Sequence, residues 1–287
     1  MNIEMPPFLK WAGGKRWLTS LHTEQFPVAF NRYFEPFLGS GAVFFALRPD
    51  AATLSDLNLD LVDTYKGIRD EWRAVEKLLH EYHRKHSKEH YLKVRQSKPR
   101  VLARRAARFI YLNRTCWNAL YRVNLNGQFN VPMGTKTNVI LDVDDFKELS
   151  SILQSTDILH QDFEAVIDRA QKGDFIFADP PYTVKHNFNG FVKYNEKIFR
   201  WDDQVRLSKC LIKAKNRGCL VLVTNANHPS IYELYENDFD LTPLKRNSVI
   251  AASSENRGVY EELIIKNYSL APIHRPRNKH SDVSIQS

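Results

Sequence analysis

The run Asp179-Pro180-Pro181-Tyr182 sets a carboxylate, two prolines and a phenol directly after the apolar stretch Phe175 to Ala178. A residue that precedes proline is pushed toward extended backbone, so Asp179 and Pro180 are both restricted. Neither proline carries an N–H. The result is a stiff corner with two acceptors, the Asp179 carboxylate and the Pro180 carbonyl, and the flat ring of Tyr182 beside them. Such parts suit an exocyclic aromatic amine like that of adenine, whose lone pair is delocalised into its ring. Two acceptors on its N–H groups favour a more pyramidal nitrogen. They also stabilise the positive charge that grows there as a methyl group arrives. Holding nitrogen and donor in line supplies much of the remaining acceleration. A base inside a duplex reaches this corner only when flipped out. Two plainer readings stand beside this one: a simple strand stop, or a metal ligand. A metal wants several convergent ligands, and no His/Asp/Glu cluster with ligand spacing surrounds Asp179, so none is expected.

Two glycine turns accompany the corner. In "FEPFLGSGAVFF", Gly39 and Gly41 let the backbone turn sharply and a ligand approach closely between a strand and a helix. Asp56 ends the next apolar stretch, fifteen residues after Gly41, where an acid can accept hydrogen bonds from two ribose hydroxyls. The spacing is shorter than a dinucleotide fingerprint and suits a nucleoside without a pyrophosphate. A plain strand-to-helix turn would look the same. In "FLKWAGGKRWL", Trp11 offers an indole to a purine or sulfonium group and Lys15 a cation to a carboxylate; a surface loop pinned by a buried Trp is the alternative.

These residues need strand ends to hold them. "RYFEPF", "AATLSD", "DILHQDF", "DFIFAD", "CLVLVTNA" and "EELIIKNY" read as strands. "AVFFALRP", "FEAVIDRAQ", "WDDQVRLSKCLIKAKNRG" and "SIYELYEN" read as helices between them, with Gly218 as a stop. Alternating strands and helices predict an α/β fold, Rossmann-like, with a mostly parallel sheet covered on both faces. The catalytic part is expected over residues 1–61 and 153–270. Residues 62–152 read as an insertion, helical and basic at first, then a hairpin turning at Asn126-Gly127. The polar tail, 271–287, is expected to be disordered.

The chain has 287 residues, with 41 Lys plus Arg against 33 Asp plus Glu, a net +8. Arg84 to Arg108 holds ten Lys/Arg and one acid, Glu89, so this segment alone accounts for the imbalance. It suits a polyanion, or is simply a solvated helix face. Three cysteines without paired spacing read as thiols of a reducing compartment. With no apolar leader at Met1 to Lys15 and no run long enough to span a bilayer, a cytoplasmic protein is expected.

"KWAGGK", "FEPFLGSGAVF", "SDLN" and "DPPY", in that order, resemble the motifs of the α-group, Dam-type (D12 class) DNA N6-adenine methyltransferases. The resemblance extends through "YLNRTCWNALYRVNLNGQFNVP" to "EELIIKNY" and covers the chain to about Tyr268. It implies S-adenosyl-L-methionine as cofactor, held by Trp11, Lys15, Phe37, Gly39, Gly41, Asp56 and Asp179, with Asp162 and Phe163 as lesser contacts. It implies a flipped adenine at Asp179, Pro180, Pro181 and Tyr182. Residues 62–152 would be the target-recognition domain. For double-stranded DNA it implies Lys10 and Arg122 on guanines and Trp117 with Asn118 wedged into the duplex. Leu120 and Pro132 would meet a thymine methyl, and Arg114 and Asn124 would be further contacts; the plainer readings are a core residue for Trp117 and a phosphate clamp or a salt-bridge partner for Arg114. Trp117 replaces a smaller aromatic and Ala119 an expected glycine. The implied activity is site-specific adenine methylation, within GATC, by a monomer or by two copies on one DNA, associated with the nucleoid. The alternatives are methylation of RNA adenine or of a protein glutamine amide, and DNA binding without catalysis. Asp56 and Asp179 argue against the last. The biological setting is left open among restriction–modification, mismatch-repair marking and a mobile element.

Overall fold

The computed structural model describes residues 5–124, 126–185, 199–247 and 259–269. Its strands are β1 (Tyr33–Glu35), β2 (Ala52–Ser55), β3 (Thr156–Leu159), β4 (Phe175–Ala178), β5 (Leu220–Ala226), β6 (Asp240–Asn247) and β7 (Val259–Lys266). They form one sheet in the order β3-β2-β1-β4-β5-β7-β6. The first five are parallel, and β7 runs antiparallel to both β5 and β6. The mostly parallel α/β sheet expected from the sequence is therefore present. β4, "FIFA", is buried throughout because helices cover both faces of a central parallel strand.

The helices are α1 (Arg16–Leu21), α2 (Ala42–Leu47), α3 (Leu59–Lys85), α4 (Lys88–Gln96), α5 (Leu102–Thr115), α6 (Phe146–Leu153), α7 (Phe163–Ile167), α8 (Trp201–Asn216) and α9 (Pro229–Tyr235). Gly218 follows α8 with φ +88°, as its reading as a stop requires. Adjacent residues of β1 divide between the two sides of the sheet. Tyr33 joins an apolar cluster with α2, α3, α5 and α6, and Phe34 one with α7, α8 and α9.

Two features differ from the sequence reading. β6, "DLTPLKRN", was not expected to be a strand; it is an edge, where Pro243 costs no ladder bond on its outer side. The hairpin around Asn126-Gly127 contains two isolated bridges, Cys116 with Met133 and Val123 with Phe129, rather than regular strands. The boundaries at 61/62 and 152/153 fall inside α3 and α6, and residues 62–152 share the Tyr33 cluster with the sheet. The tail lies outside the described residues.

Between β1 and β4 the strand order reverses: β1 leads outward to β2, and β4 starts the other half. Open α/β sheets bind ligands at such a point, beyond the carboxyl ends of their strands. The loops after β1, β2 and β4 carry Gly39 and Gly41, Asp56, and Asp179. The end of β5 adds Thr224, and the antiparallel β7 brings Glu262 to the same rim, opposite Ala226.

Candidate active site

Asp179 sits where β4 ends, its side chain 20% exposed. Its Oδ1 takes two contacts, from Lys15 Nζ at 2.9 Å and from the Thr224 hydroxyl at 2.7 Å. Among the described residues Oδ2 takes none. One oxygen is thus fixed and the other is available. Burial pushes the Asp179 carboxyl above its usual range, against the opposing pull of Lys15 and Thr224. The next residues are braced from below. The Pro181 carbonyl accepts from Gln204 Nε2 at 3.4 Å, and the Thr183 hydroxyl donates to the Phe199 carbonyl at 2.7 Å. The Tyr182 phenol donates to Glu262 Oε2 at 2.7 Å. Burial, then the neighbouring Asp179 and Glu262 charges, push its pKa well up, so it stays a donor.

Lys15 was expected to meet a carboxylate, and it meets two of the chain's own. It is buried, 2.9 Å from Asp179 and 3.4 Å from Glu262 Oε2, and donates to the Gly13 carbonyl at 2.7 Å. Its ammonium also stands 5.1 Å from the Tyr182 ring centre. A cofactor carboxylate would have to compete with these partners.

Gly39 and Gly41 take φ of +48° and +63°, which favours glycine at both. The room beside them is filled by the protein itself. A Cβ on Gly39 would come 2.9 Å from the Trp11 ring, and one on Gly41 3.0 Å from the Tyr65 hydroxyl. Trp11 also stacks on Tyr121 at 5.8 Å and Phe109 at 6.3 Å, so part of the indole is committed to packing. Asp56 accepts from the Gly39 N–H at 3.3 Å and the Asn58 N–H at 2.9 Å. Burial pushes its carboxyl up, and these N–H donors oppose that. Phe37 is half-buried and stacks on Phe163 at 5.5 Å, with Phe199 at 5.6 Å from it. Asp162 caps α7 and is held by Arg206 at 2.6 Å, which makes it a brace for Phe163.

The donor set suits a nucleoside carrying a sulfonium. Asp56 can take ribose hydroxyls on its remaining lone pairs, the Phe37 ring can face a purine, and Asp56, Asp179 and Glu262 outnumber Lys15 in charge. S-adenosyl-L-methionine has those parts.

The middle segment presents a second face at the end of α5. Lys10 is exposed there, its backbone clamped to Asn113 by bonds of 2.9 and 2.7 Å. Burial of its stem and the nearby Lys136 ammonium push the Lys10 pKa down. Trp117 is 54% exposed, and its backbone N–H donates to the carbonyl of exposed Pro132 at 2.9 Å. Asn118 and Ala119 both take φ of +53°. A left-handed Ala119 explains why glycine was expected at that position. Leu120 is half-buried, and Arg122 is exposed with Nε on Asn130 Oδ1 at 2.9 Å. Among the described residues the two terminal nitrogens of Arg122 are unpaired.

Two of the residues assigned to DNA are engaged within the protein. Arg114 is 2% exposed and held by Asp144, the Val139 carbonyl and the Phe8 carbonyl, so it is an internal strut and cannot reach a partner. Asn124 closes the hairpin, its Oδ1 accepting from the Asn126 and Gln128 N–H groups at 3.0 Å, so its acceptor is already engaged. The basic segment is also partly internal. Arg105 pairs with Asp63, and Arg108 donates to the Val94 and Arg95 carbonyls. Arg84, Lys88, Lys93, Lys98, Arg100 and Arg104 remain exposed.

Sequence reasoning missed Thr224, Glu262 and Lys136. The first two had a faint signal, a polar residue within or at the start of an apolar strand. Lys136 had none. Among the described residues no helix is long and apolar enough to cross a membrane.

Residues 11–250 match the family model described as D12 class N6 adenine-specific DNA methyltransferase. The chain is 37% identical to the Type II methyltransferase M1.LlaDCHI of Lactococcus lactis subsp. cremoris, over 93% of this chain and 97% of that protein. It is 36% identical to the Type II methyltransferase M.MjaIII of Methanocaldococcus jannaschii, over 93% and 100%. It is 32% identical to the DNA adenine methylase of Vibrio cholerae, over 90% and 94%.

Proposed function

The chain belongs to the D12 class of N6 adenine-specific DNA methyltransferases, and from that premise we propose that it methylates an adenine flipped out of duplex DNA, within GATC, at the Asp179 corner. The cofactor of the class is S-adenosyl-L-methionine, which when bound supplies a methyl group on a sulfonium. The observation that carries the assignment of the corner is the division of Asp179: Oδ1 is anchored by Lys15 and Thr224, and Oδ2 is left for an amine.

Asp179 Oδ2 and the Pro180 carbonyl accept the two N–H groups of adenine N6 and turn its lone pair out of the ring plane. The Tyr182 ring holds the base by its face. As N6 bonds to the methyl carbon and becomes positive, the two oxygens stabilise the charge without moving. Asp179 Oδ2 then takes the proton that N6 releases. Asp56 and Phe37 would hold S-adenosyl-L-methionine, which would supply the methyl from its sulfonium and keep the bonding pair as a neutral thioether.

An ionised Asp179 is needed for the grip. Its carboxyl is pushed up by burial, and an acid with a raised pKa loses its charge as pH falls through that higher value. The single-turnover rate is therefore expected to show an acid limb above the ordinary aspartate value of about 3.9. A flat profile down to that pH would contradict the role.

Reading of the target rests on the face around Lys10, Trp117 and Arg122, which faces DNA as a recognition segment. The free terminal nitrogens of Arg122 suit a bidentate contact to a guanine. Replacing Arg122 with alanine is expected to relax one base position by about 1–3 kcal/mol, measured as relative kcat/KM over duplexes with single substitutions. Unchanged discrimination at every position removes Arg122 from the readout. The exposed lysines and arginines of α4 and α5 contact phosphates, which position the duplex without reading it.

The test is incubation of the protein with labelled S-adenosyl-L-methionine and duplex DNA, RNA or protein acceptors, followed by nucleoside and amino-acid analysis. N6-methyladenine in duplex DNA is the expected product. Label confined to RNA or to glutamine would overturn the substrate, and no label would overturn the activity.

A further inference from the structure

Glu262 is an acid at the start of the apolar run Leu263 to Ile265 of β7, and it is 6% exposed. A carboxylate so placed is costly unless partners hold it. Two of its partners are groups of the site: Oε2 accepts from the Tyr182 phenol at 2.7 Å and lies 3.4 Å from Lys15 Nζ. Lys15 in turn lies 2.9 Å from Asp179. One oxygen of β7 thus ties together the ring and the lysine that flank the acceptor corner, from the closing stretch "EELIIKNY" rather than from the glycine loops or the Asp179 run.

We propose that Glu262 is a positioning residue of the transfer reaction, which fixes the Tyr182 ring against the target base and holds Lys15 in place beside Asp179. The proposal rests on the methyltransferase reading and deepens it.

The charge of Glu262 also acts on Asp179. Among the described residues the charged and titratable groups around Asp179 are Lys15 from the N-terminal loop, Tyr182 from its own loop, Glu262 from β7 and Glu35 from β1, with Thr224 of β5 as a neutral donor. Glu262 is one of the groups raising the Asp179 pKa. Removing its charge lowers that pKa and gives Asp179 a larger share of the Lys15 charge, which acts in the same direction. Loss of Glu262 should therefore slow transfer while moving the acid limb to lower pH. A fold merely loosened by the substitution has no reason to move it.

The experiment measures single-turnover methyl transfer to duplex DNA, with pH profiles, for wild type, Glu262→Gln, Glu262→Asp, Tyr182→Phe and the Glu262→Gln/Tyr182→Phe double variant. Glu262→Gln is expected to lose about 10²-fold in rate, with KM for DNA nearly unchanged. Its acid limb should move to lower pH. The double variant should be no slower than the slower single, since both cut one link. Glu262→Asp keeps the charge but falls short of Tyr182, so it should lose rate and keep the limb; it serves alone if Glu262→Gln does not fold. A Glu262 variant as fast as wild type overturns the proposal. So does a slowed Glu262→Gln with an unmoved limb and losses that add to those of Tyr182→Phe. An inactive wild type instead overturns the methyltransferase reading and this proposal with it.

Discussion

Replacing Asp179 with alanine is expected to lower the single-turnover rate of methyl transfer by about 10²–10³-fold, the usual cost of removing one preorganised group that stabilises developing charge. Two contributions vanish together. The free oxygen Oδ2 no longer grips the amine, and the anchored oxygen Oδ1 no longer holds Lys15 and Thr224. Lys15 would remain on Glu262 and the Gly13 carbonyl, still buried, but its charge would no longer be balanced at the corner. Asp179→Asn separates the terms. It keeps the shape and a carbonyl acceptor and loses the charge, so it should fall between alanine and wild type. DNA affinity, measured by anisotropy, should change little, because the exposed cations of α4 and α5 and the face around Arg122 lie elsewhere. A loss of DNA affinity that matched the loss of rate would contradict this division between chemistry and binding.

The second large effect is on stability. Arg114→Ala is expected to cost about 3–5 kcal/mol in chemical denaturation, because it strands a buried carboxylate. Arg114 and Asp144 have side chains 1% and 5% exposed and are joined by two bonds of 2.5 and 2.7 Å. The guanidinium also donates to the Val139 carbonyl at 2.8 Å and the Phe8 carbonyl at 2.9 Å. It thereby ties α5 to the N-terminal segment that carries Lys10 and Trp11. Asp144→Ala should be similarly harmful, since it leaves the cation unpaired. The double variant Arg114→Met/Asp144→Leu should be less destabilised than either alanine single, because no charge is left alone. A loss under about 1 kcal/mol for Arg114→Ala would contradict the strut.

Arg114 also marks the limit of what the sequence discloses. In "RFIYLNRT" it looks like any arginine of a basic helix, and its partner lies thirty residues on, in a loop. Only the folded chain brings them together. The same holds for Glu262, whose meeting with Tyr182 depends on the antiparallel return of β7 beside β5. By contrast, the Asp179 corner, the glycine loop and Asp56 are legible because each is local. An apolar run stops at a residue type whose backbone or charge the stop requires. β4 and β5 were clear for that reason, and β6 was hidden by its Pro243 and its polar edge. The glycines were legible as turns, but not as room for Trp11 and Tyr65, which come from other elements.

The role of the Asp179 corner is tested by a structure of the protein with a GATC duplex and a non-reactive cofactor analogue. The expected result is an extruded adenine with N6 within about 2.7–3.2 Å of both Asp179 Oδ2 and the Pro180 carbonyl, its ring against Tyr182. An adenine still paired in the duplex, or extruded with its amine away from both oxygens, would contradict it.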